Sequence, residues 1–369
     1  IPLMTNAQEI SGKKAAAIES IASAGGQMMP PIMGAAVFLM ADLLAIPLGT
    51  IILVAIIPGV IYFLIVAVLG HQIALTSGKS TKTDVDISIR HLVYEGFPHY
   101  ISVLALVYFL VELRLLVMDA ALYSCVLIIG LSTVKLTLDT GLSVELPKSA
   151  VNSLVTGHYN AYETIINIGI IGAAIGAIVE VIIQTGIAAQ IGLLLLDFAG
   201  ESLFILLILT MILAIILGLG APVVAAYLIS SIILAPSLIE MGVPELQAHF
   251  FIFYFAVLSY ITPPIAISVA IASNIARSNF LKTAFYSMYI ALPIYLLPYT
   301  FVHYDLIPAE SAGIDLALLI RALIVLFLLG ACAYILPSKK SRPVKVGSIL
   351  LVFGLLVAIP FVGPSFLFG

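Results

Sequence analysis

The sequence predicts an all-α polytopic integral membrane protein, and three observations carry that prediction. Of its 369 residues 62% are hydrophobic and only 9% charged, against about 25% charged in a soluble domain, so the chain cannot assemble a water-facing surface. Its mean hydropathy is +1.23. Stretches such as LFILLILTMILAIILGL are apolar on every face, which suits a helix in lipid and not the alternating strand of a β-barrel. A cytosolic enzyme and a disordered tail are thereby excluded, and the net charge of −4 excludes a nucleic-acid binder as well.

Taken in order, apolar spans fall near 34–46, 48–69, 100–118, 120–137, 164–196, 203–218, 222–239, 248–275, 284–302, 314–336 and 345–362. Several are too short or too broken for one crossing of a hydrocarbon core about 30 Å thick. The shortfalls gather where Gly and Pro do, at Gly25 to Gly34, Gly218 to Pro222 and Thr262 to Pro264, and there a regular helix is expected to unwind. HQIALTSGKSTKTDVDISIRHLVYEG reads as an extramembrane loop. Lys339, Lys340, Arg342 and Lys345 have no acid beside them and place the loop before the last span in the cytoplasm. With no Trp, interface anchoring falls to Tyr, for example Tyr295, Tyr299 and Tyr304.

Cys125 and Cys332 lie inside apolar runs and offer neither a disulfide framework nor metal spacing. The six His (71, 91, 99, 158, 249 and 303) fall in loops or at span edges and read as solvated. The chain opens on Ile1 without a signal-peptide pattern, and it is expected to be a fragment of a longer protein.

SGKKAAAIESIASAGGQMMPPIMGAAVF and VPELQAHFFIFYFAVLSYITPPIAISVAIA share a plan: an apolar helix with hydroxyls, a Pro-Pro break, then Ile and small residues. Inverted structural repeats with discontinuous helices produce this symmetry; a pair of ordinary proline kinks is the competing reading. In the first segment Ser20, Ser23, Gly25, Gly26 and Gln27 stand just before Pro30 and Pro31. Two glycines let carbonyls turn inward, while the hydroxyls and the amide add ligands for a small cation or a carboxylate. A Gly-Gly helix break with local hydrogen bonds explains the same residues. Around Gly218, Gly220 and Pro222 the pattern recurs without hydroxyls. No P-loop, H-E-x-x-H or G-x-S-x-G is present, which leaves an intramembrane enzyme without its catalytic groups.

ESIASAGGQMMPPIMGAAVFLMADLLAIP, IGAAIGAIVEVIIQTGI and LGLGAPVVAAYLISSIILAPSLIEMGVPELQAHFFIFYFAVLSYITPPIAISVAIASNIARSNFLKTAF, in this order, resemble the large membrane subunit of TRAP (tripartite ATP-independent periplasmic) transporters, of the type fused to the small subunit. The resemblance covers more than half of the region from Glu19 to Phe285. It implies an elevator-type secondary transporter of the bacterial or archaeal inner membrane, with inverted repeats and two re-entrant helical hairpins. Such a permease imports a small carboxylate delivered by a periplasmic binding protein, needs no cofactor and is coupled to Na⁺ or H⁺; the small membrane subunit would be fused upstream. A two-hairpin citrate-type symporter is the alternative.

On this mapping residues 1–70 hold the second arm of hairpin one and the helices after it, and 71–98 an extramembrane loop. Residues 99–163 are scaffold-type helices, 164–285 the transport half with hairpin two and a broken helix, and 286–369 the C-terminal helices. Gly25 and Gly26 fall in the second arm of hairpin one, Gly218, Gly220 and Pro222 at the tip of hairpin two, and Ser259, Thr262, Pro263 and Pro264 in the broken helix, with Asn274 beyond it as a further candidate ligand. Two departures bear on the cation. Where the family reads Gly-Leu-Pro-Thr-Thr-Ala this chain has Gly220-Ala221-Pro222-Val223-Val224-Ala225, and Tyr260 stands in place of an Asp. Both remove oxygen ligands, which Na⁺ requires.

Among the ionisable residues within spans, Asp42, Glu112, Arg114, Asp119, Asp139 and Arg321 read as helix-end or paired groups, Glu112 and Arg114 with Asp119. Glu180 stands apart. It follows Gly172 and Gly176 at four-residue spacing, so all three share a face expected to be buried against protein, where a carboxylate is a candidate for proton coupling. A bond to Gln184 is the alternative for it.

Overall fold

The computed structural model of the chain describes residues 1–7, 9–31, 33–77, 88–140, 145–308, 315–338 and 342–358, and every regular element among them is helical. After one π-helical turn (Leu3–Ala7), α1 (Gly12–Gly25) and α2 (Ala36–Leu44) are separated by a break that contains a cis Pro30–Pro31 peptide. Next come α3 (Leu48–Ser77), α4 (Ile89–Val111), α5 (Val117–Thr140), α6 (Glu145–Thr185), α7 (Ile187–Ala199), α8 (Leu203–Gly218) and α9 (Val223–Glu240). Helix α10 (Glu245–Leu258) passes through a 3-10 turn (Ser259–Ile261) and a second break, with cis Pro263–Pro264, into α11 (Ile267–Ile275). Then follow α12 (Phe280–Ile290), α13 (Leu292–Leu296), α14 (Tyr299–His303), α15 (Leu316–Ile335) and α16 (Arg342–Ala358).

Local chemistry sets the boundaries. Ser202, Asn279 and Asp315 cap α8, α12 and α15 by accepting the backbone N–H of Ile205, Lys282 and Leu318. Gly186 and Gly242 stop α6 and α9 at φ +67° and +88°, a conformation costly for residues with a Cβ. Pro293 enters near the start of α13, and the rod made by α12 with the segment Leu292–His303 bends by 52°, since proline removes a helix hydrogen bond.

Helices α3, α4, α5, α9 and α15 are each long and apolar enough to cross a bilayer, so the protein is a multi-pass membrane protein. The expected spans 203–218, 222–239 and 314–336 coincide closely with α8, α9 and α15. The span expected at 164–196 is divided at Gly186. Helix α3 runs on to Ser77 and α4 begins at Ile89, so both ends of the polar stretch between them are helical. Its middle, like Lys339 and Lys340, lies outside the described residues.

Two compact units make up the chain: Ile1–Ile46, Leu53–Thr83 and Gly186–Gly369 in the first, Pro47–Ile52 and Asp84–Thr185 in the second. In the second unit α4 packs along α5. Tyr94 donates to Asp139 at 2.6 Å, and Lys135 pairs with Glu95. Leu104, Leu116, Met118 and Leu138 are exposed in this unit, as lipid-facing positions would be. No ion pair joins Glu112 or Arg114 to Asp119 among the described residues; all three are exposed.

The core of the first unit is the cluster of α7, α8, α9 and α10, in which α10 is buried throughout, from Leu246 to Leu258. Helix α8, 16 residues long, measures about 24 Å, short of the ~30 Å hydrocarbon core. A four-residue connection returns it alongside α9, making a helical hairpin. Tyr295, Tyr299 and Tyr304 are not exposed anchors: each is buried, and Tyr299 stands edge-on to Phe251 and Phe255.

Candidate functional site

The two broken helices have matching dimensions. Helices α1 and α10 are each 14 residues long, α2 and α11 each 9, and the Pro-Pro pair follows the first helix at the same spacing in both, Pro30 after Gly25 and Pro263 after Leu258. Their packing is crossed: α1 lies on α11, and α2 on α10. A Cβ on Gly12 would come 2.4 Å from the Ala276 carbonyl oxygen, while the Ser20 and Ser268 hydroxyls each lie 3.4 Å from the other residue's carbonyl. Pairing 12 with 276 and 20 with 268 makes the two helices antiparallel. Interchange of like elements is what separates a structural repeat from two unrelated proline kinks.

This pairing corrects the place given to Gly25 and Gly26. They stand at the end of α1 as Leu258 and Ser259 stand at the end of α10, at a helix break and not in the arm of a hairpin. Gly25 is buried against Tyr62, whose hydroxyl donates to the Ile21 carbonyl at 2.7 Å. Gly26 is exposed, and the Gln27 side chain folds over Gly34.

The tip of the α8–α9 hairpin sits on the second break at three points. Ser259 Oγ lies 3.0 Å from the Gly218 carbonyl and 2.7 Å from that of Ala256. Gly220, at φ +77°, faces Ile265. The first backbone N–H of α9, on Val223, approaches the Tyr260 hydroxyl. Below the break, Thr262 donates to the Leu258 carbonyl at 2.8 Å and shares a hydrogen bond with Tyr295. Since the hydrogens of Ser259 and Thr262 go to carbonyls, their free lone pairs can ligate a cation. Pro222 and Asn274 are exposed and stand outside this set.

A cavity of about 360 Å³ lies between α1 and α11, lined by Glu19, Ser20, Ser23 and Ser268 with Ile271 and Ile275 as apolar wall. Ser20 is buried and gives its hydrogen to Ala16 at 2.7 Å. Ser268 was missed in sequence; its signal was the repeat itself, since it follows the second Pro-Pro pair in the same run of small residues. Among the described residues no group of three or more His, Cys, Asp or Glu could hold a metal ion.

With this geometry in hand, the chain matches the family model "Tripartite ATP-independent periplasmic transporter, DctM component" over residues 1–307. It belongs to that family. Neither a curated protein nor a solved structure matches it. As a TRAP permease it is a transporter component and not an enzyme, and permeases of this family work with a periplasmic binding protein and a small membrane subunit. The match takes in both broken helices and the hairpin, and ends before α15.

Two sequence readings of this TRAP permease are corrected. Glu180 was expected on a face buried against protein, but Gly172, Gly176 and Glu180 are all exposed, with nothing within 4 Å of a Cβ at either glycine. Glu180 accepts a bond from Gln184 at 2.7 Å, because residues four apart meet on a helix surface. His249 was read as solvated; it is buried in α10, 2.7 Å from the Tyr227 hydroxyl. Nothing in the run LQAHFFIFYFAVL set it apart, since α10 is too apolar all round to show which side faces α9.

Proposed function

We propose that this TRAP permease imports a small carboxylate handed over by a periplasmic binding protein, carrying it by an elevator movement coupled to Na⁺ or H⁺ in the inner membrane. The supporting observation is the crossed packing of the two broken helices with the hairpin tip seated on one break, the arrangement from which inverted-repeat transporters build a midplane site. The carboxylate assignment rests on the resemblance of the quoted segments. Glu19 is the charged residue of the cavity lining, so a carboxylate must be met by hydroxyls and by the N–H groups of the first turn of α9 beyond Val223, at the positive end of the helix dipole. A small membrane subunit, fused or separate, completes the assembly. Reconstituting the full-length permease with its binding protein and a labelled dicarboxylate tests the reading. Uptake that depends on the binding protein and on an imposed Na⁺ or H⁺ gradient is expected; equal uptake without the binding protein would sink it.

A further inference from the structure

At one end of the first unit, cations from α1, α12 and the turn between α11 and α12 come together. Gly12, at the start of α1, lies so close to the end of α11 that a Cβ on it would stand 2.4 Å from the Ala276 carbonyl oxygen. Lys13 and Arg277 are the next residues on the two sides of that contact. The Lys13 ammonium lies 4.9 Å from the centre of the Tyr286 ring on α12. Side chains lean toward the N-terminus of their helix, so Lys282, one turn before Tyr286, brings a third charge to the same place. Lys13, Arg277 and Lys282 are all exposed.

The turn that carries these charges is held in shape. Arg277 has φ +48°, its N–H donates to the Asn274 carbonyl at 3.2 Å, and the Ser278 N–H donates to that of Ser273 at 2.9 Å. The Ser278 and Thr283 hydroxyls are 3.0 Å apart, and Asn279 accepts the Lys282 N–H at 3.0 Å. Among the described residues none of the three cations forms an ion pair. Tyr286 offers Lys13 a π face and leaves its charge in place. Lys14, half-buried, has a partner of its own. Glu9 and Glu19, the carboxylates nearest along the chain, pair with none of the three.

Three like charges gathered without an acid repel one another, and an anion among them is attracted by all three. The surroundings select the anion. Helix α12 opens the bent pair Phe280–Ile290 and Leu292–His303, which together are long and apolar enough to cross a bilayer, so Lys282 stands where a span leaves the hydrocarbon. Beside it Leu281 and Phe285 are 54% and 56% exposed, one turn apart on one face of α12. They give an acyl chain an apolar wall next to the charges, which a soluble phosphate would leave uncovered. We propose that Lys13, Arg277 and Lys282 bind the phosphate of an anionic phospholipid whose acyl chain lies along Leu281 and Phe285. The guanidinium can take two phosphate oxygens in a fork, and the lysines act as point charges. Because α1 leads into the first break and α11 follows the second, the headgroup ties the two repeats together at this end.

Phe285→Trp places a fluorophore on the apolar wall of a chain that has no Trp. The full-length protein is reconstituted in phosphatidylcholine nanodiscs that contain a small fraction of brominated phosphatidylglycerol or, at the same fraction, brominated phosphatidylcholine, and the signal of protein without the new Trp is subtracted. Brominated phosphatidylglycerol is expected to quench several-fold more steeply. Each cation replaced should lower that preference by up to about fivefold, so Arg277→Gln weakens it and Lys13→Gln, Arg277→Gln and Lys282→Gln together abolish it, with quenching by brominated phosphatidylcholine unchanged. Added KCl should weaken the preference with all three cations in place, which needs no charge variant to fold. Inorganic phosphate, with ionic strength matched by chloride, should not. Equal quenching by the two lipids, a preference indifferent to KCl or one that survives the triple substitution overturns the proposal, and displacement by inorganic phosphate would make this a site for a soluble anion instead.

Discussion

Gly25 lies against the Tyr62 ring so closely that a Cβ there would stand 2.2 Å from Cε1, while the Tyr62 hydroxyl holds the Ile21 carbonyl one turn earlier. One ring thus both packs and hydrogen-bonds the last turn of α1, where the first break begins. Gly25→Ala must displace an aromatic ring held at its far end, and overpacking of this kind costs about 1–3 kcal/mol. Tyr62→Phe removes only the hydrogen bond, worth about 1 kcal/mol. Thermal unfolding of the full-length protein in detergent should rank Gly25→Ala as the more destabilised, and Tyr62→Leu should recover part of that loss in the double variant. Equal stability of Gly25→Ala and wild type would remove Tyr62 as the support of the break.

At the hairpin tip the corresponding contact is polar. A Cβ on Gly218 would fall 2.6 Å from Ser259 Oγ, so Gly218→Ala should part the tip from the break, and Ser259→Gly should relieve it by clearing that space. Gly220 adds a backbone constraint through its φ of +77°, and Gly220→Ala is expected to cost about 1 kcal/mol. Accessibility of an engineered Ala221→Cys to a thiol reagent reads the tip. It should rise with Gly218→Ala and fall back in the double variant; a reading that does not respond to Ser259 would show that the contact does not hold the tip.

The breaks were legible in the sequence because glycine and proline act locally: Gly25, Gly218, Gly220 and the two Pro-Pro pairs mark places where backbone hydrogen bonding fails whatever surrounds them. The crossed packing was only half legible. Similar composition suggested a repeat, but pairing Ser20 with Ser268 requires knowing that α1 runs antiparallel to α11. Partners of long side chains were not legible at all. Tyr62, Tyr295 and His249 each act across to another helix, and in helices apolar all round no moment indicates which neighbour a polar tip will find.

Asp305 closes a separate link. It accepts from the nearly buried Gln247 at 3.1 Å and lies 3.6 Å from Arg321 Nη1, with its own φ at +47°. Asp305→Asn keeps an acceptor and a residue tolerant of that backbone, and should be nearly neutral. Asp305→Leu leaves Gln247 short of a partner in a strained conformation, at about 1–3 kcal/mol. The ion pair is partly exposed, so Arg321→Met should cost no more than about 1 kcal/mol. Unfolding midpoints of the three variants give the order; an Arg321→Met loss larger than that of Asp305→Leu would reverse the assignment.

Glu180 accepts from Gln184 on an exposed helix face, so Glu180→Gln is expected to leave unfolding unchanged. In the full-length permease, uptake of a labelled dicarboxylate in that variant should keep its wild-type dependence on an imposed pH gradient. Loss of that dependence would return the proton to Glu180.

The last prediction concerns the coupling ion at the hairpin. Val223 is buried and Val224 half-buried in the first turn of α9, where the family pattern has two threonines, and the Val223 N–H approaches the Tyr260 hydroxyl. Threonine has nearly the shape of valine and adds one oxygen, so Val223→Thr with Val224→Thr supplies ligands with little change in volume. Packing is not left wholly untouched, because a hydroxyl buried without a partner costs about 1–3 kcal/mol, and Val223 has less access to water than Val224. The expected result is therefore a modest loss of stability without Na⁺ that is recovered as Na⁺ is added, since an ion bound to the folded state alone stabilises it. Measuring the unfolding midpoint against Na⁺, with K⁺ holding ionic strength constant, separates a bound ion from screening. A double variant whose midpoint follows Na⁺ no more steeply than wild type would show that the hairpin tip gains no cation site from these oxygens.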